Sequence, residues 1–402
     1  KFENMAKTQL IFPEARIPYG TWGCSYFPAW QTSPLAEVNI GQFAGESMAK
    51  ILSLRNTPIN QLDYLIIGST VPWHWKFWNA TVVASCMGKR VPGFQMEQAC
   101  ATGLQAVILA AAQVQSGSSN TVGVLTFDRT SDSPVGVFPE RRSYRRTEVI
   151  SDVWDNFGFD PATGNAMITT AGVVARKYGI TKGEVDELAA FRYDQYFTGK
   201  QSGFLEKVAV PLEILNVQGK SIGMIDEDTG VKKFSLSALR SMRELDTCVT
   251  SGTQTHAADG MATLLVSSKS AAKQISRKPE INISFVAKAE VRVSLSCMPE
   301  APAMAVKKIL SKTGISMKDF VVVKDHNPFA VNDAVFSKVL GYDWKKMNNN
   351  GCPLVFGHPQ GPTLTRVIIE GLEEAVDLGG GYVLVFGCAA GDVGIASIFL
   401  VN

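Results

Sequence analysis

What most constrains this chain is a strand–helix–strand rhythm that occurs twice, once near each end. Residues 63–71 (Asp-Tyr-Leu-Ile-Ile-Gly-Ser-Thr-Val) form an apolar run of strand length. Residues 101–115 (ATGLQAVILAAAQVQ) are apolar nearly all round, which predicts a helix buried on every side. Residues 120–127 (NTVGVLTF) return to a strand. The last quarter repeats the order. A strand is predicted at 318–323, an amphipathic helix over 362–377, and two apolar strands at 381–387 (GYVLVFG) and 393–401 (VGIASIFLV). Such alternation predicts α/β layers. The middle, about 128–245, is more charged and less regular. It holds RRSYRR at 141–146 and a helix near 165–178 followed by Gly179. It reads as a large insertion over an α/β body. The polar stretch 270–280 (SAAKQISRKPE) is a candidate join between two halves.

Length and charge narrow the class. A chain of 402 residues exceeds one ordinary core, so two or three packed units are expected. Hydrophobic residues at 46% and charged residues at 19% exclude disorder. Lys plus Arg number 39 against 37 acidic residues, so the basic surplus of a nucleic-acid binder is absent. No apolar run reaches the roughly 18 residues of a membrane span. The opening Lys1-Phe2-Glu3-Asn4-Met5 is not a signal peptide, and Met5 is expected to be the natural start. Seven cysteines, an odd count with no C-x-x-C pair, argue against a disulfide framework or a Cys-rich zinc site; reduced thiols, and so a cytoplasmic protein, are expected.

Four short segments carry candidate chemistry. Cys100 precedes the buried helix and is followed by Ala101, Thr102 and Gly103. A cysteine at a helix N-terminus is expected to have a lowered pKa, although a buried core thiol is an equally ordinary fate. His358 sits in Gly357-His358-Pro359-Gln360-Gly361, a turn, where it is either a general base beside a thiol or a surface histidine. Cys388 lies in GCAAGD, read as a Gly/Ala-rich turn between two strands; its backbone N–H groups face a ligand oxygen or close a tight hairpin. His326, in Asp325-His326-Asn327-Pro328-Phe329, ends a strand and is otherwise a satisfied core histidine.

Together these segments resemble the thiolases. QACATGLQAV (98–107) resembles the family's nucleophile segment, GHPQG (357–361) its G-H-P-x-G motif, and GCAAGDVGIA (387–396) its C-x-G segment. NAMITTAGVVARKYGITKGEVDEL (165–188) and TSGTQTHAADGMA (250–262) resemble two further thiolase segments, so the likeness runs in order from about residue 10 to the C-terminus. The resemblance implies a five-layer αβαβα fold of two similar halves with an inserted loop domain. Its expected extents are 5–127 with 246–270 for the N-terminal half, 128–245 for the loop domain, and 271–402 for the C-terminal half. It also implies CoA-dependent retro-Claisen cleavage of a 3-oxoacyl-CoA, or the reverse condensation, with CoA as substrate and no further cofactor or metal. Cys100 would be the acylated nucleophile, His358 its activating base and Cys388 the acid/base at the α-carbon.

Departures from the pattern place the chain nearest the sterol-carrier-protein-type and archaeal-type branch, whose H-D-x-F motif resembles His326-Asn327-Pro328-Phe329. There the histidine faces the thioester oxygen, which gives His326 an oxyanion role. Ala390 stands where C-x-G has glycine, and its N–H, beside Gly391, remains available. Thr255 matches a serine beside the CoA chain; His256 replaces a glycine, lining the acyl pocket or facing solvent. Arg141, Arg142, Arg145 and Arg146 are candidates for the CoA phosphates or for a solvated loop. Trp73, Trp75 and Trp78 suggest dimer packing, or a wide pocket for a bulky or aromatic acyl group such as a benzoylsuccinyl type. The family resemblance implies a homodimer or dimer of dimers, and its H-D-x-F branch a small zinc-ribbon/OB-fold partner subunit. Ketoacyl synthases and hydroxymethylglutaryl-CoA synthases lack a need for Cys388. A thiolase-like subunit that binds acyl-CoA without turnover is the remaining alternative.

Overall fold

The computed structural model describes residues 9–139, 147–216 and 218–402. Fourteen strands are found among them. They are β1 (Phe12–Arg16), β2 (Gly23–Cys24), β3 (Tyr64–Gly68), β4 (Gly93–Met96), β5 (Thr121–Arg129), β6 (Val135–Pro139), β7 (Thr147–Ser151), β8 (Leu212–Leu215), β9 (Ser221–Ile225), β10 (Asp259–Ser268), β11 (Ile283–Arg292), β12 (Phe320–His326), β13 (Gly381–Ala389) and β14 (Val393–Val401). Eight helices matter for the argument: α1 (Ile40–Leu54), α2 (Asn79–Cys86), α3 (Thr102–Gln115), α4 (Met167–Tyr178), α5 (Lys182–Gln201), α6 (Ala301–Thr313), α7 (Ala330–Leu340) and α8 (Gly361–Asp377).

The strand order is β12-β13-β14-β11-β1-β10-β5-β3-β4, with β2 against β10. Each half follows one scheme. In the first, β3 is parallel to β5, β5 antiparallel to β10, and β10 antiparallel to β1. In the second, β12 is parallel to β13, β13 antiparallel to β14, and β14 antiparallel to β11. The short strand β1 is the seam, holding β10 on one edge and β11 on the other. Helix α3 packs on β1, β3, β5 and β10, while α8 packs on β5 and β10 and also on β12 and β13. The two helices touch each other, so they form a middle layer between the half-sheets. Helices α1 and α2 cover the first half from outside, and α6 covers the second. This is the five-layer arrangement of two similar halves that the family resemblance implies. Between β5 and β10 lie the ribbons β6/β7 and β8/β9 and the helices α4 and α5.

Strand positions follow burial. In β13 and in β5 up to Asp128 every residue is buried, which is why both read as unbroken apolar runs. Helix α4 ends at Gly179, whose φ of 59° takes the left-handed turn that stops a helix.

The amphipathic helix expected over 362–377 is α8, whose charged side meets protein rather than solvent: it is buried through Ala375. Its charges are paired inside. Arg366 donates to both oxygens of Asp228, at 2.8 and 3.0 Å, and to Glu370 Oε1 at 3.0 Å. The Arg366 guanidinium also lies 3.7 Å from the Phe356 ring centre and 4.7 Å from that of Phe27. Glu374 meets Lys324 at 2.8 Å. Leaving one such buried partner alone costs about 3–5 kcal/mol, so these pairs let an ionic helix occupy the central layer.

The middle layer is close-fitting at Gly103. A Cβ there would lie 2.6 Å from Thr365 N and 2.7 Å from Gly361 O, against backbone that has no soft way to yield. Gly103→Ala is expected to destabilise the fold by about 1–3 kcal/mol and to part Cys100 from His358. Urea denaturation and thiol reactivity, measured together, check this; an unchanged midpoint would contradict the crossing.

Candidate active site

Open α/β sheets hold their ligands at the carboxyl ends of parallel strands, and both halves follow that rule here. Cys100 lies four residues after β4, His326 is the last residue of β12, and Cys388 is the next-to-last of β13. His358 sits three residues before α8. The structure brings these four residues together.

The nucleophile segment is a strained turn. Ala99 has a φ of 44°, a region that residues with a Cβ seldom occupy. The Thr102 hydroxyl holds the turn, donating to Ala99 O and accepting from Gln98 N–H, each at 2.7 Å. On the facing loop, Gln360 also has a positive φ, of 65°. That loop is anchored by Asp128, whose carboxylate accepts from Ser69 Oγ, Thr70 N, Thr70 Oγ1, Val71 N and Gly361 N at 2.7–2.9 Å. The His358 N–H donates to His256 O at 2.9 Å.

The side chains then meet. His358 Nε2 is 3.2 Å from Cys100 Sγ, and its Nδ1 is 2.7 Å from Thr363 Oγ1. The rings of His326 and His358 lie 4.3 Å apart, centre to centre. Cys388 Sγ is 4.0 Å from His326 Nδ1 and 3.5 Å from Asn332 Nδ2. Cys388 lies within a strand, wholly buried, and the turn begins after it at Ala390, which corrects its placement in the turn.

Burial sets the electrostatics, and it overturns the lowered pKa expected for Cys100. Desolvation pushes that thiol up to about 12, although a hydrogen bond from the Ala390 backbone acts the other way. Cys100 sits at the positive end of the helix, but the cost of removing a thiolate from water outweighs that field. Burial likewise raises the Cys388 thiol well above its ordinary value. It holds His326 down to about 3, and burial with the neighbouring His326 holds His358 well below its ordinary value. The resting pair is a neutral thiol beside a neutral imidazole.

These groups lie along the floor of a cavity of about 790 Å³. Cys100, His358, Cys388, Thr255, His256, Ala390 and Gly391 line it, whereas His326 stands behind them, fully buried. The Thr255 hydroxyl donates to Pro353 O at 2.6 Å. The His256 ring packs over Gly230 and Gly357 and leaves Nε2 buried without a partner among the described residues. Arg141, Arg142, Arg145 and Arg146 fall outside the described residues.

The tryptophans of 71–78 do not line this cavity. Trp73 is buried over Gly41 and against Phe127, and Trp78 is exposed beside Phe77. The aromatic wall is made instead by Trp30, Trp154, Phe157 and Phe159. Trp30 and Trp154 lie 4.7 Å apart, centre to centre. Sequence reading missed these rings together with Asp128 and Thr363. Only the cluster Trp154-Asp155-Asn156-Phe157 offers a local signal.

A two-lobed α/β body with a thiol–imidazole pair between its central helices defines a class of acyl-transferring enzymes. The chain belongs to the thiolase family: the family's N-terminal domain matches residues 30–270 and its C-terminal domain residues 279–401. It is an acyltransferase of that family. It is 30% identical over 295 residues to the acetyl-CoA acetyltransferase of Escherichia coli, covering 72% of this chain and 74% of that one. The acetyl-CoA acetyltransferase of Synechocystis is 26% identical over 376 residues, 89% of this chain and 90% of that one. The crystal structure of the Bacillus anthracis acetyl-CoA acetyltransferase superposes with a TM-score of 0.88 at 24% identity, covering 98% of this chain and 100% of that one. No described helix is long and apolar enough to cross a membrane.

The raised thiol pKa gives a direct test. Alkylation of Cys100 by iodoacetamide in the free protein is expected to be slow near neutrality and to rise as pH climbs toward about 12. A rate by pH profile, with peptide mapping, checks it; a plateau reached near pH 7 would contradict a neutral resting pair.

Proposed function

We propose that the chain catalyses CoA-dependent retro-Claisen cleavage of a 3-oxoacyl-CoA whose acyl group is bulky or aryl-substituted. The observation that carries this reading is the 3.2 Å contact of Cys100 Sγ and His358 Nε2, at the floor of a cavity walled by Trp30, Trp154 and Phe157. Condensation uses the same residues in reverse.

In this reading the dry pair is activated by the reaction itself. Cys100 Sγ attacks the 3-oxo carbon while its proton passes to His358 Nε2. Thr363 accepts from His358 Nδ1–H and holds the ring so that Nε2 faces sulfur. The carbonyl oxygen gains charge and needs donors. Backbone N–H groups about Cys100 and Ala390 supply them, while His326 Nε2, buried and without a partner among the described residues, serves with His358 the thioester oxygen of the forming enolate when it carries the ring proton. Removal of one such donor typically costs about 2.7–4 kcal/mol of barrier. The Cα–Cβ bond then breaks, and Cys388 gives its proton to the enolate carbon. The Cys388 thiolate next takes the proton of CoA–SH, and the CoA sulfur attacks acyl-Cys100. The thiolate of Cys100 leaves and recovers its proton from His358.

Charge around the cavity refines the substrate. Glu97, Asp152 and Asp160 line it, and its described lining contains no Lys or Arg. An anionic acyl chain would meet these acids, so an uncharged aryl group fits better than a benzoylsuccinyl type with its second carboxylate.

The test is CoA-dependent loss of 3-oxoacyl-CoA, followed by mass spectrometry, over acetoacetyl, long linear, neutral aryl and carboxylated aryl substrates, with and without any co-purified partner. Cleavage of the neutral aryl substrate is expected to be best; no cleavage of any would favour a binding subunit. Cys100→Ala should abolish the acyl-enzyme, and Cys388→Ser should still acylate from a simple acyl-CoA yet fail to exchange the acetyl-CoA α-proton. Retained exchange would move the acid/base role elsewhere. Trp154→Ala should raise KM for the aryl substrate about tenfold, as loss of one stacking ring of about 0.5–1.5 kcal/mol plus its buried area implies, with acetoacetyl-CoA little changed. Equal effects on both would place the aryl group elsewhere.

A further inference from the structure

We propose that Cys100, His326 and His358 form a three-ligand site for a soft, tetrahedral divalent cation of the zinc type, and that its occupation blocks the thiol reversibly. One ligand atom from each of these residues lies within 4.8 Å of the others. Zinc at about 2.3 Å from sulfur and about 2.0–2.1 Å from nitrogen sets tetrahedral donors roughly 3.5 Å apart. The Cys100–His358 edge, at 3.2 Å, is already near that spacing. The remaining edges are at most 4.8 Å, so each has to close by no more than about 1.3 Å.

Two independent features point to a ligand. His326 Nε2 is wholly buried and has no partner among the described residues. In a protein interior an imidazole nitrogen left alone is unusual, because polar atoms lose water on burial and must replace it. The second feature is the support behind His358. With Nδ1–H donated to Thr363 Oγ1 at 2.7 Å, the Nε2 lone pair faces the thiol. A metal-bound histidine is oriented by the same device. His326 would hold its own ring proton on Nδ1, on the side of Cys388.

The donor set selects the ion. One thiolate and two imidazoles suit zinc, cobalt or copper, whereas calcium and magnesium take oxygen. Cys100 is partly open to the cavity, so an ion has access from that side, and the fourth position faces the cavity and takes water. The exchange balances without redox change. The Cys100 S–H bond breaks, its proton goes to solvent, an S–Zn bond forms, and the hydrogen bond to His358 is lost. Sulfur bound to the ion cannot be acylated, and a ligated Nε2 cannot take a proton.

The test uses the whole chain after dialysis against a chelator, with zinc chloride or cobalt chloride as the only addition. One zinc per chain is expected to survive gel filtration, and cobalt should show tetrahedral visible bands with a thiolate charge-transfer band. Cys100→Ser and His326→Ala should each weaken binding about tenfold or more. In the unaltered protein, zinc should slow alkylation of Cys100 by at least about tenfold, leave that of Cys86 unchanged, and be reversed by chelator. Equal zinc affinity in both variants, or unslowed alkylation of Cys100 in the zinc-loaded protein, would overturn the site. The alkylation arm needs no variant, so a misfolded substitution cannot decide the matter. None of these readouts involves turnover, so the outcome is independent of the proposed cleavage activity.

Discussion

The crossing of the two central helices governs this molecule. Helix α3 carries Cys100 just ahead of its first turn, and α8 carries His358 just ahead of its own. They approach so closely at Gly103 that a single added methyl group would collide with the backbone of Thr365 and Gly361. The thiol and the imidazole are therefore placed by helix packing rather than by flexible loops. Asp128 adds a second constraint, because one carboxylate collects donors from the loop after β3 and from the first residue of α8. Sites built on rigid elements in this way hold their geometry better than sites on loops.

That packing has an electrostatic consequence. A middle layer enclosed by two half-sheets is dry, and a dry site disfavours charge. The same burial that forces Arg366, Asp228, Glu370, Lys324 and Glu374 into pairs keeps Cys100 and His358 neutral at rest. Pairing is open to the charges behind α8 because several are available there. Cys100 and His358 have no charged side chain as hydrogen-bond partner among the described residues, so burial keeps both neutral.

Legibility differed by element. Strands β5, β13 and β14 and helix α3 were readable because their neighbours bury them on every side, which leaves an apolar run that needs no tertiary information. Strands β1, β10 and β11 were not read, although β10 and β11 hold ten residues each. Their segments mix Ser, Asp, Gly, Lys and Glu among the apolar residues, and only pairing with the neighbouring strands shows them as part of one sheet. Helix α8 was located and read as amphipathic, but that its charged side meets protein was not legible, since paired and solvated charges look alike in a sequence. Cys100, His358, Cys388 and His326 were each visible in a short segment. Trp30 and Phe159 were not, because nothing near them in the chain distinguishes a cavity wall from ordinary packing. The tryptophans at 73–78 illustrate the converse, a conspicuous cluster that packs away from the cavity.

The order of apolar runs and the four chemical segments were determined by the sequence alone, because both depend on residue type and local spacing. The tertiary structure decided the rest. It closed about 260 residues of chain between Cys100 and His358 into one contact of 3.2 Å. It also reversed the sign of the Cys100 pKa shift, and it chose which aromatic rings wall the cavity. Each of these depends on what is removed from water and what is brought within a few ångströms, and neither is a property of neighbours along the chain.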